Sequence, residues 1–234
     1  MDDVEGLARA FSGASQVLLI SSATHGEAAL RQHRNAIEAA RAAGVQRIVY
    51  TSHMGSNSAS NFAAMQDHAA TEGILEASGL RFTSLRNGFY AASALLFMRG
   101  AIETGKFFAP KDGPVSWTTH ADLAEAAAIS LTEPDRLNGV TPALTGGEAL
   151  DLAELAAIAS DLSGQTITRV TVADEEYKSG LVSHGVPDAQ AEFLLGIFAA
   201  SRQGEFALVD PTLESLLGRS PVSMREVLKN HIAG

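Results

Sequence analysis

Leu80-Arg81-Phe82-Thr83-Ser84-Leu85-Arg86-Asn87-Gly88-Phe89-Tyr90 is the stretch on which the reading of this chain turns. It follows the helix-stop pair Ser78-Gly79, alternates apolar and polar residues from Leu80 to Leu85, and reaches an Arg-Asn-Gly corner before two aromatic residues. That order predicts a strand and then a turn. In an open α/β sheet, ligands sit outside the carboxyl ends of the strands, so polar groups directly after a strand are site candidates. Taken alone, these residues favour a plainer account, with Asn87-Gly88 as a tight turn and Arg86 as an ion-pair partner at the surface.

The same order recurs upstream. Val17-Leu18-Leu19-Ile20 is apolar on both faces, the composition of a strand covered by helices on both sides. Ser21-Ser22 follow it. An Ala-rich helix over 27–43 stops at Gly44, and Arg47-Ile48-Val49-Tyr50-Thr51-Ser52 reads as a second buried strand with hydroxyls at its carboxyl end. A Ser/Gly/Asn-rich loop over 54–61 and a helix over 62–78 lead to the strand at Leu80. Three strands separated by helices argue for a parallel sheet. Ser21, Ser22, Thr51, Ser52 and Asn87 then lie along one rim.

A helix over 3–11, closed by Ser12-Gly13, precedes the first strand. Beyond Tyr90 the pattern predicts a mixed helix to Gly100, a short strand near Phe107-Phe108, and a helix over 120–131 capped by Thr119. After Asn138-Gly139 the rhythm changes to short strands near 140–144 and 167–172, with helices over 151–162, near 174, and over 187–201, 211–217 and 223–229. The expected division is a core over 1–139 and a smaller α+β lobe over 140–234.

With 234 residues and 46% hydrophobic content, the chain has ample material for a core. A balance of 17 basic against 27 acidic residues gives a net charge of -10. No basic block offers nucleic acid or an anionic membrane a footprint. No run is long and apolar enough to span a bilayer. The absence of cysteine excludes disulfides, thiolate catalysis and Cys-ligated zinc, and together with the lack of a secretory leader it suggests a cytoplasmic protein. Small-molecule chemistry is the class left.

The seven histidines show no metal-binding pair, so no metal site is expected. His33 and His68 each stand alone on a helix, which is the pattern of hydrogen-bonded or solvated imidazoles. Ser22 and His53 lack a nucleophile elbow and an orienting carboxylate, which argues against a hydrolase. Gly146-Gly147 reads as a turn. No glycine cluster joins a strand to a helix, as a phosphate-cradling loop requires. The helix over 62–78 contains no Tyr-x-x-x-Lys pair.

Five segments in order resemble the NmrA-like atypical short-chain dehydrogenases: Val17 to Ser22, His33 to Val45, Ile48 to Ser52, His68-x-x-Thr71-Glu72-x-x-Leu75-x-x-Ser78-Gly79-Leu80, and Leu85 to Tyr90. The stretches Thr119 to Ala124 and Leu144 to Leu150 fit as well. Within the family the likeness is to the branch of NAD(P)H:quinone oxidoreductases and triphenylmethane reductases. The resemblance implies a Rossmann-like parallel sheet that uses NADP or NAD, with NADPH ahead of NADH, and passes a hydride to a quinone-like acceptor. It implies that Ser21, Ser22, Thr51, Ser52, His53, Asn87 and Gly88 line the nicotinamide half of the cofactor site, with Phe89 and Tyr90 beside the acceptor. Asn87, Tyr90 and His68 are the candidate catalytic residues. In the register set by Glu72, Ala64 stands at the family's Tyr position and His68 at its Lys position.

Family members begin with a strand and a Gly-x-x-Gly-x-x-Gly loop, and the resemblance here starts after that unit. The expectation is therefore an N-terminally truncated Rossmann-like α/β fold with impaired dinucleotide binding, or a start codon assigned too late. A bare apolar edge at 17–20 would favour a homodimer. The alternative function is a non-catalytic dinucleotide-binding redox sensor.

Overall fold

Asp3 opens the first helix, α1 (Val4–Phe11), by accepting a 2.9 Å hydrogen bond from the Gly6 N–H. The chain then alternates strand and helix: β1 (Gln16–Leu19), α2 (Glu27–Ala42), β2 (Arg47–His53), α3 (Ala63–Ala77) and β3 (Arg81–Asn87). It continues through β4 (Phe89–Tyr90), α4 (Ala91–Phe97), α5 (Ala101–Thr104), β5 (Lys106–Pro110), β6 (Trp117–Thr118) and α6 (His120–Thr132). β7 (Gly139–Leu144), α7 (Leu152–Ser163), β8 (Thr168–Val172), α8 (Asp174–Ser183), α9 (Asp188–Arg202), α10 (Thr212–Leu217) and α11 (Met224–Ala233) complete it. This computed structural model describes residues 1–233 and divides into two units, Met1–Asn87 with Leu123–Leu144, and Gly88–Asp122 with Thr145–Gly234.

The first unit is built on a four-stranded, wholly parallel sheet in the order β1-β2-β3-β7. One face of β1 and β2, carrying Val17, Leu19, Ile48 and Tyr50, packs with Ala36, Ile37 and Ala40 of α2 and Leu75 of α3. Leu7 and Phe11 of α1 lie against the same cluster. On the opposite face, Val49 and Leu85 are completely buried. Leu18 and Ile20, however, are 37% and 63% exposed, which corrects the expectation of a first strand covered on both faces. β1 is an edge strand, and an apolar four-residue run does not distinguish an edge from a centre.

Two further expectations change. Asn87-Gly88 is not a turn, because β3 runs through Asn87 and extended backbone resumes at Phe89. The register His53↔Asn87 and Asn87↔Leu144, with the Met54 N–H donating to the Asn87 carbonyl at 2.8 Å, holds the backbone straight to its end. The division at residue 139 also differs. β7 pairs with β3 and belongs to the first unit's sheet, while residues 88–122 go with the second unit.

The second unit contains two short parallel ladders, β4 with β6 and β5 with β8, and the helices α7 to α11. Phe89 is buried against the rings of Trp117 and Phe206, at centroid distances of 5.5 and 5.0 Å. Asp151 and Glu154 form a capping box at the start of α7. Gly146 admits no side chain, since a Cβ would strike the Trp117 carbonyl oxygen. The sequence marked this glycine as part of a turn, and close backbone approach explains why the residue is glycine.

Candidate functional site

Each of the first three strands ends in, or is followed by, polar residues at the carboxyl end of the sheet: Ser21-Ser22, Thr51-Ser52-His53 and Asn87. Directly after β1, three backbone amides turn inward onto side chains. The Ser21 N–H donates to Thr51 Oγ1 at 2.9 Å, the Ser22 N–H to His33 Nε2 at 3.0 Å, and the Gly26 N–H to Asp67 Oδ2 at 2.8 Å. An N–H only donates, so His33 Nε2 is an acceptor and the ring's proton sits on Nδ1. Nδ1 lies 2.9 Å from Thr71 Oγ1, whose own proton goes to the Asp67 carbonyl at 2.8 Å. Burial keeps the His33 imidazole below its ordinary pKa against the pull of Asp67, in keeping with a neutral ring.

Tyr50 lies beside this string, completely buried on β2. Its hydroxyl is 2.8 Å from His68 Nδ1, and its ring meets His33 edge-on at 5.5 Å. Burial pushes the phenol up to about 12, so it is un-ionised at neutral pH. His53, at the end of β2, accepts the Gly55 N–H on Nδ1 at 3.1 Å and stacks on His68 at 6.1 Å. Burial, with His68 nearby, lowers His53 to about 3. Burial lowers His68 to about 4, with His33 and His25 adding to the shift and Glu72 opposing it. All three imidazoles are therefore neutral at pH 7.

A separate knot ties β2, β3 and α3 together. Glu72 accepts from Ser52 at 2.7 Å, Ser84 at 2.9 Å, Ser56 at 3.1 Å and both Nε and Nη2 of Arg86, the latter at 2.7 Å. Burial drives the Glu72 carboxyl up, but the hydrogen bonds from Arg86 and the serines outweigh it and hold the group below its usual range. Arg86 is thus a structural ion-pair residue, as its place in the strand suggested, and the hydroxyl of Ser52 is engaged inside the fold.

Two groups at this end have no partner among the described residues. The Asn87 Oδ1 is buried without a hydrogen bond. His68 engages Nδ1 only, leaving Nε2 unbonded. A buried amide oxygen without a donor costs about 1–3 kcal/mol, so it marks a place where a ligand donor is missing. Neither group is charged. Their chemistry suits an uncharged amide or hydroxyl, as a nicotinamide and its ribose present.

Of the other residues singled out by sequence, Ser21 and Thr51 close the rim on each other, and Ser22 is anchored to His33. Gly88 and Phe89 are buried in the second unit, where Tyr90 stacks on His120 at a centroid distance of 4.3 Å. Sequence reasoning missed Tyr50, Thr71 and His33. The signal available was the alternation of β2, which puts Ile48, Tyr50 and Ser52 on one face. Among the described residues, no group of three or more His, Cys, Asp or Glu could hold a metal ion, and no helix is long and apolar enough to cross a membrane.

The model of the NmrA-like family matches residues 1–224. The chain is 35% identical over 225 residues to quinone oxidoreductase 2 of Escherichia coli (strain K12), covering 96% of this chain and 78% of that protein. The crystal structure of an NADPH-dependent quinone oxidoreductase from Escherichia coli complexed with NADPH superposes with a TM-score of 0.91 at 34% identity, covering 99% of this chain and 81% of that one. Citrobacter sp. triphenylmethane reductase complexed with NADP(H) gives a TM-score of 0.89 at 32% identity, covering 98% and 81%.

Proposed function

Because this chain belongs to the NmrA-like family, we propose that it is an NADPH-dependent oxidoreductase that passes a hydride to a quinone or a similar conjugated acceptor. The observation that carries the reading is Asn87, a buried carboxamide with an unpartnered oxygen at the carboxyl end of a parallel strand. Similarity to an NADPH complex over nearly the whole chain supports it.

The bound nucleotide would supply the hydride from its dihydronicotinamide ring. The chain's own part is to bind and orient. Asn87 Oδ1 would accept from the carboxamide N–H of the nicotinamide, and His68 would offer Nε2 to its ribose. Ser21 and Thr51, tied to each other, and Ser22, held by His33, keep the end of β1 fixed beside them. Tyr90, three residues beyond Asn87 in the chain, is the residue that the family resemblance assigns to the acceptor. A quinone is already electrophilic, so the site needs position and an apolar surface more than a strong acid. Hydride transfer and one further proton yield the hydroquinone, with water able to deliver that proton.

The test is a fluorescence or calorimetric titration with NADPH, followed by NADPH oxidation with 1,4-benzoquinone. Saturable binding, weaker than micromolar because no glycine cluster joins a strand to a helix to cradle the phosphates, and benzoquinone-dependent turnover are expected. No saturation up to about 1 mM NADPH would overturn the reading. Tight binding without turnover on benzoquinone or a triphenylmethane dye would favour a redox sensor instead.

A further inference from the structure

The hydrogen bond between Tyr50 and His68 decides what a ligand meets at the rim, because the direction of its proton fixes which His68 nitrogen carries the other one. A phenol is the stronger donor of the two groups and an imidazole nitrogen the stronger acceptor, so O–H to N is the better pairing. The neighbours of the Tyr50 hydroxyl agree with that direction. Thr71, beside it, donates its own proton to the Asp67 carbonyl and already accepts the His33 Nδ1–H, which leaves His68 Nδ1 as the better acceptor for the phenol's proton. The Ser21 hydroxyl, also beside it, is able to donate to the phenol oxygen and leave the phenol's proton for His68.

We propose that Tyr50 is a positioning residue whose O–H donates to His68 Nδ1, holding His68 in its Nε2–H form as an uncharged donor to an oxygen of the bound nicotinamide nucleotide. The proposal rests on the functional reading above for the identity of the ligand. The geometry behind it is a 2.8 Å contact from a fully buried phenol, and a half-buried imidazole whose outer nitrogen has no partner among the described residues. In the register that the family resemblance implies, His68 takes the place of the lysine of a Tyr-x-x-x-Lys arrangement. A neutral N–H is a shorter-range donor, and its tautomer has to be set by something else. Here a tyrosine from β2 sets it.

The groups around His68 keep it uncharged. His33 on α2, His53 and Tyr50 on β2, and His25 ahead of α2 offer no negative charge, while Glu72 on α3 is held by Arg86. Asp67, also on α3, accepts from Gly26. The donor strength at Nε2 is therefore constant across the neutral range, whereas an imidazole of ordinary pKa would change charge there.

Long-range 1H–15N spectra of the full chain read the tautomer directly, with His68 assigned through His68→Gln. Wild type is expected to show the Nε2–H pattern for His68 from about pH 5.5 to 8, and Tyr50→Phe a mixture of tautomers. Adding NADPH should move the Nε2–H signal. Tyr50→Phe should weaken NADPH binding about 3- to 10-fold, and should have no further effect in the His68→Gln background. An Nδ1–H pattern in wild type, or titration near the ordinary imidazole value, overturns the proposal. So does an equal loss from Tyr50→Phe with and without His68. If the spectra give Nε2–H but NADPH fails to bind, the functional reading falls and the ligand half of this proposal falls with it, while the direction of the Tyr50 hydrogen bond stands.

Discussion

The two ends of the four-stranded sheet satisfy their buried polar groups to different extents. At the amino end, Arg47 is 2% exposed, and its two terminal nitrogens donate to Gln16 Oε1, Thr83 Oγ1, Ser130 Oγ and the carbonyls of Ser130 and Leu137, at 2.6 to 3.2 Å. At the carboxyl end, Asn87 Oδ1 and His68 Nε2 have no partner among the described residues. The sheet is the same. What differs is how much is left over: Arg47 spends both terminal nitrogens on the fold and keeps only Nε without a partner, whereas the carboxyl end leaves an amide oxygen and an imidazole nitrogen for something else to satisfy. This is the asymmetry expected of an open parallel sheet, whose ligands lie beyond the carboxyl ends.

The largest effect should come from the closed end. Arg47→Ala removes a cation and leaves the acceptors it served without donors, so equilibrium unfolding in urea is expected to fall by about 4 kcal/mol. The kcat/KM of the fraction that remains folded should hold within about 3-fold. A large drop in kcat/KM with stability intact would break the division between the two ends.

Glu72→Gln sharpens the comparison, because Glu72 lies toward the carboxyl end yet has both carboxylate oxygens engaged by the fold. The neutral amide loses the charge that Arg86 pairs with and cannot match the carboxylate's acceptor capacity for three serines. The expected loss is about 3 kcal/mol in urea unfolding, with NADPH affinity in the folded protein little changed. If affinity falls further than stability, the Glu72 knot is part of the site rather than its support.

The fold was readable from sequence wherever one element imposes its own period. The strands expected at 17–20 and 47–52 from apolar runs, and at 80–85 from alternation, overlap those formed at 16–19, 47–53 and 81–87, and the stops at Gly44 and Gly79 marked the ends of the helices before the second and third. Asn87 was singled out as a polar residue just beyond the expected strand and through the family resemblance, although the strand in fact runs through it. The connections that set the site's chemistry were not readable, because they join residues far apart in the chain: Tyr50 to His68, His33 to Thr71, and Ser22 to His33. A single histidine on a helix looks the same whether it faces water or a buried tyrosine. The apolar run at 17–20 by itself reads as a strand covered on both faces; the bare edge there was expected only through the family resemblance, and the strand order places β1 at an edge.

Acid tests the carboxyl end as a group. The folded-state pKa of His68 lies near 4, below its unfolded value of 6.5, so between those values the unfolded chain binds more protons. Stability is therefore full above about pH 6.5 and is lost as pH falls toward 4, with about 2 kcal/mol gone by about pH 5 from His68 alone. His53 and His33 shift in the same direction. Urea midpoints measured between about pH 5 and 8 should fall on the acid side, and His68→Gln should flatten the slope. A flat wild-type profile would show that these rings are solvated.

The smallest change in stability, and the most telling, is expected at Asn87. Its side-chain oxygen is buried without a donor, so Asn87→Ala removes no intramolecular hydrogen bond to that atom and relieves a desolvated acceptor. Stability should stay within about 0.5 kcal/mol of wild type or rise. The kcat/KM for benzoquinone with NADPH should nevertheless fall at least about 10-fold, equivalent to about 1.4 kcal/mol of lost transition-state stabilisation. Arg47→Ala and Asn87→Ala are then mirror images, one costing the fold and sparing the chemistry, the other the reverse. A stability loss at Asn87 of the size expected at Arg47 would mean that its oxygen is satisfied in solution, and that the carboxyl end is closed like the amino end.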